Sequence, residues 1–162
     1  AGEAADVRVD LPVDAHIPHD YIDGERLRME AYRKLAAVTD ETIAEQVESE
    51  LADRYGPPPP EVLALLSVAR FRAAMRAIGI TEISLQGRAI RVTPIRLPDS
   101  AQLRLTRLAA DSVYKDASQV LSLRRPIGLD GPVRGVALLE WLHRLVIDLI
   151  GAPAGPDLGV RT

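Results

Sequence analysis

The sequence has no cysteine, a single tryptophan and a single phenylalanine, and its aromatic fraction is only 4%. Without thiols there is no disulfide framework and no thiolate metal site, and a cytoplasmic, intracellular origin is expected. Scarce aromatics mean a core packed from aliphatic side chains, with few rings on which nucleic-acid bases could stack. No apolar run reaches the roughly 18 residues that a membrane-spanning helix needs, so no membrane partner is expected. The first residues do not form a signal peptide. The sequence begins Ala-Gly-Glu without an initiator Met, as a piece excised from a longer protein would. Neither Gly-x-x-x-x-Gly-Lys nor Gly-x-Gly-x-x-Gly occurs, which removes the glycine loops that cradle phosphates, and the Gly-x-Ser-x-Gly nucleophile elbow is missing too.

What is present fits one folded domain: 162 residues, 47% of them apolar, are enough for a sizeable core. The net charge of −3 conceals an asymmetry. Residues 1–56 carry 14 acids and 6 bases, a net −8, and residues 57–162 carry 9 acids and 14 bases, a net +5. Opposite halves of this kind can meet charged partners or pair with each other.

The organising stretch is Glu50–Pro60, Glu-Leu-Ala-Asp-Arg-Tyr-Gly-Pro-Pro-Pro-Pro. Before it, Ile43, Val47, Leu51 and Tyr55 recur every four residues, the apolar stripe of an amphipathic helix. Gly56 can take the left-handed conformation that closes a helix, and Pro57 cannot continue it. Pro57–Pro60 favours a stiff corner whose last proline suits the first turn of a new helix.

Around this corner the spacing predicts an α+β fold: N-terminal helices, then a small antiparallel sheet of hairpins, then a C-terminal helix. Residues 1–24 read as an extended N-terminal arm with a short strand at Val7, Val9 and Leu11, pinned by Ile17, Tyr21 and Ile22. Residues 25–151 read as the single α+β domain, and 152–162, rich in proline and glycine, as a flexible tail. A first helix is expected from Gly24 to Val38, with Leu27, Ala31 and Leu35 on one face. Thr39 is the expected N-cap of the second. The third, from Pro60 to Ile78, is apolar almost all round in its opening turns and should be a buried spine. Hairpin strands follow around Gln86-Gly87-Arg88. A helix then begins at Pro98-Asp99-Ser100 with Leu105 and Leu108 inward. Two more strands are expected at Val113–Lys115 and Gln119–Arg124, then a Pro/Gly-rich loop at Pro126–Pro132, and a last helix from Val133 to Ile150.

Candidate chemistry is sparse. His16 and His19 flank Pro18, which opposes the helix that their spacing would need to share a metal, and neither they nor His143 complete a zinc pattern. No catalytic, cofactor or metal site is expected in this chain. Arg70, Arg72, Arg76, Arg88, Arg91, Arg104, Arg107, Arg124 and Arg125 offer phosphate contacts, but they are scattered in an acidic chain, so direct DNA contact is the alternative reading. Glu50, Asp53 and Arg54, spaced i, i+3 and i+4, lie together beside the apolar stripe. On spacing alone they are either a charged rim along a buried seam or a recognition patch for an arginine-bearing partner.

Asp10-Leu11-Pro12, Ile17-Pro18-His19-Asp20-Tyr21-Ile22, Arg26-Leu27 and Tyr32-Arg33-Lys34-Leu35-Ala36 resemble the C-terminal domain of the bacterial transcription-repair coupling factor. The likeness continues through Glu50-Leu51-Ala52-Asp53-Arg54-Tyr55-Gly56, Pro59, Leu65-Leu66, Ala69-Arg70 and Ile78-Gly79-Ile80. In that family the full-length protein is an ATP-driven translocase on double-stranded DNA. It engages stalled RNA polymerase and recruits the damage-recognition ATPase of nucleotide excision repair. Its motor motifs, with their ATP and Mg, lie upstream of this domain. The resemblance implies a non-catalytic regulatory domain that docks on the N-terminal repair-recruitment domain of the same protein and masks it. Glu50, Asp53 and Arg54 match the docking positions. The aromatic is Tyr55 here and the proline run is longer, which alters the corner and leaves the patch in place.

Overall fold

A computed structural model describes residues 6–151. In chain order its elements are β1 (Arg8–Asp10), α1 (Glu25–Ala36), α2 (Glu41–Tyr55), α3 (Pro60–Ile78), β2 (Glu82–Gln86), β3 (Ala89–Thr93), α4 (Asp99–Leu108), β4 (Val113–Lys115), β5 (Val120–Arg124), β6 (Ile127–Gly128), β7 (Gly131–Pro132) and α5 (Gly135–Ile150). The expected tail, 152–162, lies outside the described residues.

The α+β class is as the sequence predicts, but the sheet is not purely antiparallel. Its five strands run β1-β2-β3-β5-β4, and β1 pairs in parallel with β2, Val9 facing Ile83. Three helices separate the two strands in the chain, and such a crossover is what returns a strand in the same direction. The remaining pairs are antiparallel. Within the expected Pro/Gly-rich loop, β6 and β7 form a separate two-stranded hairpin.

Side chains collect in two clusters. One lies among α1, α2 and the first half of α3 and contains Ile17, Ile22, Leu35, Val47, Leu51, Val62 and Leu66. The other packs the second half of α3, through Phe71 and Met75, with the sheet, α4 and α5. The helix α3 therefore serves both clusters. The segment before α1 does so too: Val7 joins the sheet cluster, and Ile17 and Ile22 the helical one.

Several local expectations shift by a turn or less. The N-cap of α2 is Asp40, not Thr39: its Oδ1 accepts from the Ile43 amide at 2.9 Å. Thr39 precedes it by one residue and lies outside the reach that capping geometry demands. Leu108, expected inward, sits at the end of α4 and is exposed, while Leu105 and Ala101 are buried. Gly56 has φ 88° and ψ −179°, a region reserved for glycine but not the left-handed helical one. That backbone turns the chain away so that Pro59 and Pro60 can open α3.

Candidate functional site

The closing turns of α2 bring Glu50, Asp53 and Arg54 onto one surface, and each ends in a different state. Asp53 is exposed and makes no hydrogen bond or ion pair among the described residues. Arg54 is exposed, lies 3.7 Å from the Glu50 carboxylate, and holds its guanidinium 5.1 Å from the centre of the Tyr55 ring, a cation–π distance. Glu50 is half-exposed and already engaged, because Lys34 Nζ on α1 donates to its Oε1. The hydrogen bond from Lys34 lowers the carboxyl pKa of Glu50 below its ordinary value; partial burial opposes this, and the charges of Lys34 and Arg54 add to the lowering.

The turn that carries these groups is held from beneath. Tyr21, from the segment before α1, donates its hydroxyl toward Leu51 O at 3.1 Å and Gly56 O at 2.8 Å. The Gly56 carbonyl lies just past the end of α2, where no intrahelical donor reaches it, and the Leu51 carbonyl lies one turn before that end. Tyr21 and Tyr55 meet edge to face at 5.9 Å. Burial, and then the neighbouring Tyr55, push the Tyr21 phenol above its ordinary pKa, which keeps it a neutral donor. The same segment is tied to α1, where Tyr32 Oη accepts from the Ile17 amide at 2.8 Å. The two most distinctive blocks of sequence, Ile17–Ile22 and Glu50–Gly56, are thus one structural unit.

Between α1 and α2 at this site the crevice, floored by Leu27, Val47 and Leu51, measures only about 10 Å³. That is room for no more than a water. Spacing identified Glu50, Asp53 and Arg54. It missed Lys34 and Tyr21, which reach the turn from 16 residues and from 30 to 35 residues away in the chain.

The histidines do not gather. His16 Nδ1 lies 2.9 Å from Asp14 Oδ1 on the surface, and among the described residues no group of three or more His, Asp or Glu side chains is placed to hold a metal ion. His143 lies on the rim of a 470 Å³ cleft between α3 and α5, with Ser67, Asp40, Glu41 and Glu140. This is the concavity that a hydrolase reading would need. However, Asp40 caps α2, and Glu41 accepts from Arg70 Nε at 2.9 Å. Among the described residues no hydrogen bond joins His143 to Ser67 or to a carboxylate, so the nucleophile–base pair of covalent catalysis is not assembled.

Six of the nine arginines considered for phosphate contact have a partner within the chain, some of them at the surface, and among the described residues the side chains of Arg72, Arg88 and Arg107 have none. Arg70 bonds Glu41 and Glu48, Arg91 lies 3.3 Å from Glu82, Arg76 lies 3.8 Å from Asp6, Arg124 lies 3.8 Å from Asp111, and Arg104 and Arg125 donate to the carbonyls of Leu149 and Val133 respectively. For Arg70, burial works against the charge, but its hydrogen bonds to Glu41 and Glu48 and their negative charges outweigh it and raise its pKa.

Comparison with known proteins adds the family. A model of the TRCF domain matches residues 11–104. The chain is 43% identical over 157 residues to the transcription-repair-coupling factors of Mycobacterium bovis and Mycobacterium tuberculosis, covering 94% of this chain and 13% of each of those proteins. The factor of Staphylococcus epidermidis is 33% identical over 146 residues, covering 88% of this chain and 12% of that protein. The chain thus spans about an eighth of the length of these relatives. In fold it resembles a crystal structure of the C-terminal domain of transcription-repair coupling factor, with a TM-score of 0.69, 18% identity, and coverage of 90% of this chain and 92% of that one. The chain belongs to the TRCF domain family, whose fold is that of the C-terminal domain of transcription-repair coupling factors.

Proposed function

We propose that this chain is the non-catalytic regulatory domain of a transcription-coupled DNA repair translocase. It docks on the N-terminal repair-recruitment domain of the same protein through Glu50, Asp53 and Arg54, and so masks the surface that recruits the damage-recognition ATPase. Its link to RNA polymerase is indirect, through the parent protein in the cytoplasm. Cofactor chemistry, ATP with Mg, belongs to the parent's motor and not to this domain. Carrying the reading is the state of the closing turn of α2: Asp53 is exposed and unengaged beside Arg54, on a turn clamped by Tyr21. A fixed backbone with outward charges loses little conformational entropy when a partner binds.

A polar interface of this size also suits release. A few charge-assisted hydrogen bonds at a solvated edge can be displaced by a competing partner, and the switch needs only a difference in free energy between docked and free states. The alternative of direct DNA contact loses support because most of the arginines it would use are paired internally.

The test is binding of this domain to the N-terminal domain of a TRCF protein by calorimetry. Reversing both acids, Glu50→Lys with Asp53→Lys, is expected to weaken binding by at least about ten-fold, while circular dichroism stays unchanged. Undiminished affinity would discard the site.

A further inference from the structure

The opening turns of α3, Glu-Val-Leu-Ala-Leu-Leu-Ser-Val-Ala, carry apolar residues on every side, the pattern of a helix covered all round. In the fold one side is left open. Leu63, Ser67, Arg70, Ala74 and Ala77, spaced alternately by four and three residues, form a stripe along α3, and Leu63 keeps 43% of its surface exposed. From Ser67 onward this stripe faces Val136, Leu139, Glu140 and His143 of α5 across the 470 Å³ cleft. The α5 positions repeat at three and four residues as well, so a row from each helix lines the same trough. On the α3 side the row is built from small residues, Ala74, Ala77 and Ser67, over a floor with Phe71 and Leu139. Two helical rows with small residues on one of them suit the receiving half of a helix-in-groove contact.

The rim selects the charge of what enters. Asp40 and Glu41 close one end at the start of α2, and Glu140 lines the α5 side. Arg70 is the one lysine or arginine among the lining residues, and it is already held by Glu41 at 2.9 Å and by Glu48 at 3.3 Å. Three carboxylates, Asp40, Glu41 and Glu140, thus line the cleft against one guanidinium that Glu41 and Glu48 already hold, leaving an acidic border around an apolar floor.

We propose that this cleft docks a cationic amphipathic helix of a second protein, whose apolar face covers α3 and whose lysines or arginines meet Glu140, Asp40 and the Glu41–Arg70–Glu48 group. The surface is separate from the closing turn of α2 and does not depend on the docking role given to that turn. Its binding free energy comes chiefly from the apolar floor, and its selectivity from the rim.

The probe is a fluorescein-labelled peptide of about 15 residues, long enough to form a helix, with leucines at i, i+3, i+4 and i+7 and lysines flanking them. A second peptide carries glutamates in place of the lysines. Fluorescence anisotropy with the full chain is expected to show saturable binding of the lysine peptide, and binding weaker by about ten-fold for the glutamate peptide. Ala77→Trp, at an exposed position, should abolish binding by filling the trough, and Glu140→Lys should weaken it by about two- to five-fold. Leu103→Lys, on α4 away from the cleft, should leave it unchanged and controls for folding. Equal binding of both peptides, or indifference to Ala77→Trp, would overturn the proposal. So would sedimentation showing a dimer that Ala77→Trp dissolves, which assigns the cleft to a second copy of this chain. Markedly tighter peptide binding after removal of residues 152–162 would likewise overturn it, by assigning the cleft to the chain's own C-terminal segment.

Discussion

The two clusters of this domain are built differently. The helical cluster, among α1, α2 and the start of α3, uses small residues such as Ala31, Ala44 and Ala69 alongside Ile22, Leu51 and Leu66. Its helices are joined across their surfaces by charged pairs: Lys34 with Glu50 between α1 and α2, and Arg70 with Glu41 and Glu48 between α3 and α2. The sheet cluster is larger in its side chains, stacking Ile80, Ile83, Ile90, Leu121, Leu123, Leu138 and Leu142 at no measurable exposure. Bulk aliphatic packing contributes roughly in proportion to area and is indifferent to direction. Charged pairs and hydrogen bonds contribute less but fix angles. The sheet half has directional contacts too, Arg104 to the Leu149 carbonyl and Arg125 to that of Val133, but it sets them on a larger block of buried aliphatic side chains, whereas the helical half joins its helices mainly through charged pairs between them. Glu50, Asp53 and Arg54 sit on the helical half.

The largest expected effect would break the comparison if the halves proved independent. Leu66→Ala in the helical cluster and Leu121→Ala in the sheet cluster each remove a fully buried side chain, at an expected cost of about 2–5 kcal/mol. Because α3 serves both clusters, each variant should still unfold in urea as one transition. Trp141 fluorescence, which reports the sheet cluster, should coincide with far-ultraviolet circular dichroism. Separate midpoints in the Leu66→Ala variant would show that the spine does not couple the halves.

A middle-sized effect sharpens what hydrogen bonds contribute to the helical half. Tyr21→Phe deletes the donor to Leu51 O and Gly56 O and should cost about 1–2 kcal/mol in urea unfolding. The same change should loosen the closing turn, read as faster amide exchange at Tyr55 and Gly56. Protection equal to that of the parent chain would remove Tyr21 from the account.

The smallest effect concerns Lys34. Lys34→Met removes the hydrogen bond that is the main cause of the lowered Glu50 pKa, so the carboxyl resonance of Glu50 should titrate nearer the ordinary glutamate range. A carboxyl with a depressed folded-state pKa adds stability above its unfolded pKa and loses that contribution as the pH falls through the folded value. The wild-type contribution should therefore fade only on the acid side of the ordinary glutamate range, and the variant should lack it. Since the pair is solvated, the change in unfolding midpoint should be slight and should shrink with added salt. An unmoved Glu50 titration would mean that Lys34 does not hold it in solution.

Much of this was legible in the chain. The boundaries of α3 from Pro60 to Ile78 coincide with the expectation, because a proline at the first turn and Gly79 after the last are local signals. The stripe Ile43, Val47, Leu51 and Tyr55 gave α2 its inward face, and Glu50, Asp53 and Arg54 fall on its closing turn as their spacing required. The capping residue was displaced by one, from Thr39 to Asp40, since both types suit the position and only backbone dihedrals choose between them. Leu108 was expected inward because periodicity does not register that a helix is ending.

Near-neighbour chemistry, then, determined the helices, the proline corner and the cluster of charges, since caps, glycine conformations and apolar periods act over at most a few residues. The fold alone decided that β1 runs parallel to β2, that Tyr21 grips the end of α2, that Lys34 takes one oxygen of Glu50, and that one side of an apolar helix stays open. These depend on groups far apart in the chain, whose encounter is fixed by the packing of whole elements around two cores and leaves no local mark in the sequence.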